Sequence, residues 1–201
     1  MKKAVIIIFL VLLADQVLKI WIKTHMTLGD EIHMMGNWFI IHFTENEGMA
    51  FGMKFGGSFG KLILSIFRII AVVAIGWYLI KISRAKESTG LIISLSLIFA
   101  GAMGNIIDSA FYGLIFSESK FHEIAQLFPP GGGYGHFLHG KVVDMLYFPV
   151  LRGAYPQWIP IWGGDEFIFF RPVFNIADSS ITVGVFILII FQKKLFKKEN
   201  Q

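Results

Sequence analysis

The chain of 201 residues contains no cysteine. Its loops can therefore form no disulfide, and the chain is not itself a lipoprotein modified on cysteine. Charge is scarce as well. Only 16% of residues are Asp, Glu, Lys or Arg, against about a quarter in an ordinary soluble domain. The surplus of basic residues, a net charge of +4, is scattered beside apolar runs and forms no aromatic-interleaved patch, which excludes nucleic acid as a partner. Gly131-Gly132-Gly133 has neither a strand before it nor a Lys-Ser or Lys-Thr after it, so it is no phosphate loop. His122, His136 and His139 match no tight metal-ligand spacing, and no metal or other cofactor is expected. No serine or cysteine stands in a recognisable nucleophile frame.

What the chain has in abundance is apolar surface: 55% hydrophobic residues, 15% aromatic and a mean hydropathy of +0.64. The excess is gathered into four blocks, residues 4–22, 62–80, 91–111 and 173–191, each close to the 20 or so residues that cross a bilayer. The expectation is an all-α membrane protein, a four-helix transmembrane bundle forming one domain over residues 1–201. Lys2 and Lys3 precede the first block, Lys81, Arg84 and Lys86 lie between the second and third, and Lys193, Lys194, Lys197 and Lys198 follow the fourth. By the positive-inside rule these segments and both termini are cytoplasmic, which leaves loops 24–60 and 117–171 outside. Met1-Lys2-Lys3 and the following apolar run resemble a secretory signal peptide. Asp15, Lys19 and Lys23 stand where a small-residue cleavage site would be, so the first span is expected to be retained.

Polar residues inside the spans are the informative ones. A carboxylate within hydrocarbon costs roughly 2.5 to 3.5 kcal/mol even on the lenient insertion scale, so each is paired or kept for chemistry. Asp15 and Lys19 are four apart on one helix face, acid first, as a helical pair requires. Arg68 interrupts the second span about two turns below its outer end, where it either snorkels outward or pairs with a carboxylate of another span. In the third, Gly101, Gly104, Asn105 and Asp108 recur at spacings of three and four, giving one small, polar face that lets helices approach closely. In the fourth, Asn175, Asp178 and Thr182 share a face, and a helix starting at 173 would carry Asp178 roughly 7 to 8 Å below the surface.

The external loops are rich in β-formers. Trp38 to Phe43 reads as a strand running into a turn at Thr44-Glu45-Asn46-Glu47-Gly48, and the segments 145–151 and 166–170 read as short strands or membrane-surface segments. Pro129-Pro130-Gly131-Gly132-Gly133 excludes regular structure. The aromatic loops are expected to rest on lipid.

With this topology Asn105 and Asp108, near the outer end of span three, meet Asn175 and Asp178 at one level, and Asp144 hangs in the loop between those spans. Two aspartates in a low-dielectric site share a proton. One then activates water while the other protonates the carbonyl of a scissile peptide. The rival is a small proton- or ion-coupled transporter with Asp108, Asp178 and Lys19 as a relay. It calls for titratable groups at several depths, whereas spans two to four carry no acid deep on the inner side. A different intramembrane aspartic protease would call for Gly-x-Gly-Asp, which does not occur.

Asp15-Gln16-x-x-Lys19, Asn46-x-Gly48-x-Ala50-Phe51-Gly52, Gly101-Ala102-x-Gly104-Asn105-x-x-Asp108, Gly140-x-Val142-Val143-Asp144 and Phe174-Asn175-x-Ala177-Asp178-x-x-Ile181 resemble, in order and end to end, the motifs of bacterial lipoprotein signal peptidase, or signal peptidase II. The resemblance implies a membrane aspartic endopeptidase of the bacterial inner membrane, with a small extracytoplasmic β-rich platform. It would remove signal peptides from prolipoproteins just before a cysteine that already bears diacylglyceryl. It further implies Asp144 and Asp178 as the catalytic pair, with Asn46, Gly48, Asn105, Asp108 and Asn175 lining or supporting the site. Asp15 and Lys19 match a structural or substrate-contacting pair. The expected partners are the lipid-modified prolipoprotein and membrane lipid, and the expected state is a monomer.

Two departures stand out. Ser109 occupies the place where arginine commonly follows the aspartate in that family, leaving Arg68 and Arg171 as candidates for the lost contact with the substrate backbone. Insertions holding residues 121–139 and 152–166 are expected to form a lid or a partner surface.

Overall fold

The computed structural model describes residues 1–47, 57–169 and 171–195. The elements that matter here are α1 (Lys2–His25), β1 (Glu31–Met35), β2 (Phe39–Asn46), α2 (Gly57–Arg84), α3 (Thr89–Ile107), α4 (Gly113–Ile115), β3 (Val142–Tyr147), β4 (Leu151–Ala154), β5 (Glu166–Phe169), β6 (Val173–Phe174) and α5 (Ile176–Leu195). Three helical stretches, Lys2–His25, Phe59–Arg84 and Thr89–Ile115, are long and apolar enough to cross a membrane, and Ile176–Gln192 is a shorter apolar helix.

α1 is built inside out relative to a helix of a soluble protein. Its buried face carries Ala4, Asp15, Lys19, Ile22 and Lys23, while Val5, Ile6, Phe9, Leu10, Leu13 and Val17 point outward. Such a helix is stable where the surroundings are hydrocarbon and the interior supplies polar partners. Packing along the bundle follows the same logic. One apolar cluster gathers Ala4, Leu79, Ile82, Leu91, Ile92 and Leu95 at one end. A second joins Ile22 of α1 and Met26 just beyond it to Ile41, Phe43, Val143 and Met145 of the sheet and to Tyr112 and Phe116. The polar residues of α1 and α3 lie between the two.

α3 starts with Ser88 as its cap, the side chain accepting from the amide of Leu91 at 3.3 Å. Beyond Ile107 the helix widens into a π turn over Asp108–Tyr112 before closing as α4. Loop backbone supplies the amides that this ending leaves wanting: Gly140 N–H donates to the Ser109 carbonyl and Gly135 N–H to the Gly113 carbonyl, both at 2.8 Å. A Cβ on Gly140 would lie 2.1 Å from the Asp108 carbonyl oxygen, so only glycine allows that approach. The loop that follows the Pro-Gly-rich stretch is therefore packed on the Asp108–Gly113 end of this helical run.

Four strands form an antiparallel sheet in the order β1-β2-β3-β6, and β4 pairs with β5 as a separate hairpin. Thr44 lies opposite Asp144 and Asn46 opposite Val142, so Asn46 and Asp144 are diagonal neighbours on one face. β1 went unanticipated: Glu-Ile-His-Met-Met alternates over only four residues, and all five residues are exposed. β2 runs on to Asn46 where a turn was expected from Thr44, because pairing with β3 holds Thr44, Glu45 and Asn46 extended. The expected segment 145–151 corresponds to the later part of β3 and the start of β4, and 166–170 to β5.

The fourth apolar block is corrected at its start. Val173 and Phe174 pair with Tyr147 and Leu146, and the helix begins at Ile176. Asp178 accordingly sits in the first helical turn. Thr182, expected on the inner face, is exposed. The buried face carries Ala177, Ser180 and Gly184, since α5 packs through small residues onto α3.

Candidate active site

The site is assembled from helix ends and strand centres. Asn175 caps α5 in a reciprocal box: its Oδ1 accepts from the Asp178 amide at 2.9 Å, and Asp178 Oδ2 accepts from the Asn175 amide at 3.4 Å. Asp15 reaches across from α1 and takes another orphan donor of the same turn, the Ala177 amide, at 2.9 Å. Three sequence-singled residues thus hold one helix start, and with it the Asp178 carboxylate.

Lys19, fully buried, saturates its three protons on Asp15 Oδ2 at 2.9 Å, Asp108 Oδ2 at 2.8 Å and Asn105 Oδ1 at 3.1 Å. Asn105 Oδ1 also accepts from Asn175 Nδ2 at 3.2 Å. With the carbonyl side so fixed, the Asn105 amide nitrogen turns to Asp178 and donates to its Oδ1 at 2.8 Å. Asp108 is consumed in holding the frame together, accepting from Gln16 Nε2 at 2.9 Å and from the Val143 amide at 3.3 Å, which ties β3 to the end of α3.

Asp144 is the other terminus of this network. Its Oδ1 accepts from Asn175 Nδ2 at 2.7 Å, and its Oδ2 accepts from Asn46 Nδ2. One asparagine therefore contacts both aspartates, Asp144 through its amide and Asp178 through its backbone and its carbonyl. Burial, and after it the negative charge of Asp178, push the Asp144 carboxyl up to about 7, against the pull of Lys19 and of the amides of Asn175 and Asn46. Near neutral pH such a group exchanges a proton readily, as acid–base chemistry requires.

Asp15, Lys19, Asn46, Asn105, Asp108, Asp144, Asn175 and Asp178 are all joined in this one cluster. Gly48 lies outside the described residues. Among the described residues, no group of three or more His, Cys, Asp or Glu side chains is placed to hold a metal ion.

The comparisons with known proteins bear on the same frame. The family model described as signal peptidase (SPase) II matches residues 7–194. The chain belongs to the signal peptidase II family. It is accordingly a membrane-embedded protease. The lipoprotein signal peptidase of Porphyromonas gingivalis is 54% identical over 190 residues, covering 94% of this chain and 82% of that one. That of Amoebophilus asiaticus is 38% identical over 198 residues, covering 97% and 79%. Among solved structures, a bacterial membrane enzyme determined by the in meso method at 2.3 Å resolution superposes with a TM-score of 0.66 at 28% identity, covering all of this chain and 94% of that one.

Within this signal peptidase II chain, Ser109 faces the interior. It is buried, and its hydroxyl donates back to the Asn105 carbonyl at 3.0 Å. Arg68 is close enough for its charge to act on Asp178, and Arg171 is exposed. Three supporting contacts went unread in the sequence. Gln16 bridges Asp15, the Gly104 carbonyl and Asp108, and accepts from the Tyr112 hydroxyl. Lys23, also fully buried, pairs with Glu45 and donates to Ser119 at 2.8 Å. Lys61 pairs with Glu47 and donates to the His139 carbonyl at 2.8 Å, holding the end of β2 and the loop between α4 and β3 together. For Lys23 a signal existed: Asp15, Lys19 and Lys23 recur every four residues on one face.

Proposed function

We propose that this chain cleaves prolipoproteins on the amino side of a diacylglyceryl-bearing cysteine with Asp144 and Asp178 acting as one aspartic dyad. What supports the pairing is the double role of Asn175, which contacts both carboxyl groups, together with the electrostatic effect of Asp178 on Asp144. The pair holds one proton. With that proton on Asp144, the Asp178 carboxylate takes a proton from water as the oxygen attacks the scissile carbonyl, and Asp144 gives its proton to the carbonyl oxygen. The tetrahedral intermediate collapses with a proton passing from Asp178 to the departing amine and the hydroxyl proton returning to Asp144, which restores the starting state of the dyad. Asn105, Asn175 and Asn46 orient the two carboxyl groups, while Asp15, Lys19 and Asp108 keep the elements that carry them in place.

The same reading makes α5 the fourth membrane span, places both termini in the cytoplasm and sets the β1-β2-β3-β6 sheet as a platform on the external side of the bacterial inner membrane. The distribution of lysine and arginine beside the apolar runs supports that orientation. The substrate, anchored by its own acyl chains, then approaches laterally to a dyad at the outer boundary of the bilayer. The enzyme works as a monomer and as one domain, since α1, α3, α5, β2 and β3 of a single copy supply the whole network. The test is cleavage of matched precursor peptides by the purified protein. Cutting of the lipidated peptide before its cysteine, with the unlipidated one left intact, is the expected result, and equal cutting of both refutes the lipid requirement.

A further inference from the structure

Between the strand that carries Asp144 and the strand that leads into Asp178, the chain leaves the sheet and returns. β3 ends at Tyr147 and β6 begins at Val173, yet Tyr147 and Val173 are paired neighbours. The excursion is the β4–β5 hairpin. Its root is fixed by aromatic stacking: the Phe148 ring lies on Phe39, centroids 4.8 Å apart and 4° from parallel, and on Phe174 at 5.8 Å. Its two strands are each four residues long, about 13 Å of extended chain.

The tip is Tyr155-Pro156-Gln157-Trp158-Ile159-Pro160-Ile161-Trp162-Gly163-Gly164, ten residues without a charge. It is ordered by its own backbone. Ile159 N–H donates to the Pro156 carbonyl and Gly163 N–H to the Ile159 carbonyl, each at 3.0 Å, and Gly164 N–H donates to the Tyr155 carbonyl at 2.9 Å. A Cβ on Gly163 would lie 2.6 Å from the Gln157 carbonyl oxygen, so the loop closes tightly on itself. That rigid loop presents its large apolar side chains outward: Trp158 is 80% exposed, Ile161 89% and Trp162 56%. Ile161 holds φ at +78°, a region that a β-branched residue rarely occupies. Strain that turns an isoleucine away from the protein persists where something outside the fold gains from it.

We infer that the tip of this hairpin, through Trp158, Ile161 and Trp162, is an interfacial anchor seated among the lipids of the leaflet that borders the site. Lipid is the occupant for two reasons. The chain is already membrane-embedded, and the hairpin's returning strand runs directly into the apolar helix α5. Tryptophan is the side chain most at home at the boundary of headgroups and acyl chains. Because both ends of the hairpin emerge beside the two aspartates, the anchor sets the height of β3 and β6 against the bilayer. The inference rests on membrane embedding alone and is independent of which carboxyl groups do the chemistry.

The absence of cysteine makes the test clean. Ile161→Cys and Trp158→Cys, each carrying a nitroxide label, are reconstituted in nanodiscs of phosphatidylethanolamine and phosphatidylglycerol. Power saturation then compares collision with oxygen, which concentrates in lipid, and with a water-soluble nickel chelate. Greater access to oxygen than to nickel at both positions is expected. Free access to nickel, or shielding from both reagents as under a second copy or a protein partner, overturns the inference. A second measurement uses Trp158→Ser/Trp162→Ser. Its cleavage rate relative to the parent protein is expected to fall several-fold in nanodiscs and to stay unchanged in detergent micelles. An equal loss in both, or no loss in either, contradicts an anchor that positions the site.

Discussion

Replacing Gly101 by alanine puts a methyl group where α5 already lies. The added Cβ would stand 2.2 Å from the Ala177 carbonyl oxygen and 2.7 Å from Cγ1 of Ile181. The first of these is backbone in the first turn of a helix, so no rotamer change relieves it. In a close-packed interior α5 must recede from α3 by about 1 Å to restore ordinary contact. The hydrogen bond from Asn105 Nδ2 to Asp178 Oδ1, now 2.8 Å, crosses that interface and would stretch beyond useful length. Overpacking of this kind costs about 1 to 3 kcal/mol of stability. A displacement of about 1 Å at the reacting groups lowers turnover by up to about 100-fold. Because Gly101 belongs to the helix–helix seam and not to the substrate path, the loss is expected in kcat with KM little changed. Steady-state cleavage of a lipidated precursor peptide, with thermal unfolding of the same detergent-solubilised sample, measures both quantities. Gly131→Ala is the control, since nothing lies within 4 Å of a Cβ there. A Gly101→Ala protein with parental kcat would refute the claim that the α3–α5 spacing sets the geometry of the carboxyl pair.

Other outcomes follow from the same contacts. Activity needs one proton on the dyad, so kcat/KM is expected to fall about tenfold per pH unit above about 7, where Asp144 gives up its proton. The folded state takes the same sign: a carboxyl raised from 3.8 to about 7 favours folding most at acid pH, and that contribution is lost as pH rises through about 7. Lys19→Met leaves Asp15 and Asp108 buried without their cation, which is expected to cost about 3 to 5 kcal/mol in thermal unfolding. In the surviving fraction the alkaline limb should shift upward, because Lys19 is one of the groups holding Asp144 down. An unmoved limb would mean that Lys19 does not act on the dyad. Arg68→Gln is expected to raise KM for the precursor peptide through loss of the cation facing Asp178. If Arg68→Gln/Arg171→Gln keeps the parental KM and kcat, neither arginine contacts substrate.

The parts of this site that were legible in the sequence were those where chemistry conflicts with surroundings. Asp15, Lys19, Asn105, Asp108 and Asp178 announced themselves because charged and amide groups in apolar helices demand partners. Spacings of three and four then put Asn105 and Asp108 on the face that also carries Gly101 and Gly104. The start of α5 was misplaced because Val173 and Phe174 are apolar in either setting. Hydropathy does not distinguish a two-residue strand from a helical turn, and pairing with Leu146 and Tyr147 decided it. β1 is the outer strand of a local hairpin with β2, and its five exposed residues give no buried face for a pattern to mark, while the Lys61–Glu47 pair joins two polar residues whose sequence says nothing of each other. Asn175 is the instructive residue. As a helix cap it is ordinary in sequence, and only the fold gives it a second task as the link between Asp144 and Asp178.

Asp144→Asn and Asp178→Asn, purified separately and given the lipidated precursor, test the central claim most directly. Each should insert, remain folded by thermal unfolding in detergent, and leave the precursor uncut. Processing at the parental rate by either variant would remove that carboxyl group from the chemistry and with it the two-aspartate mechanism.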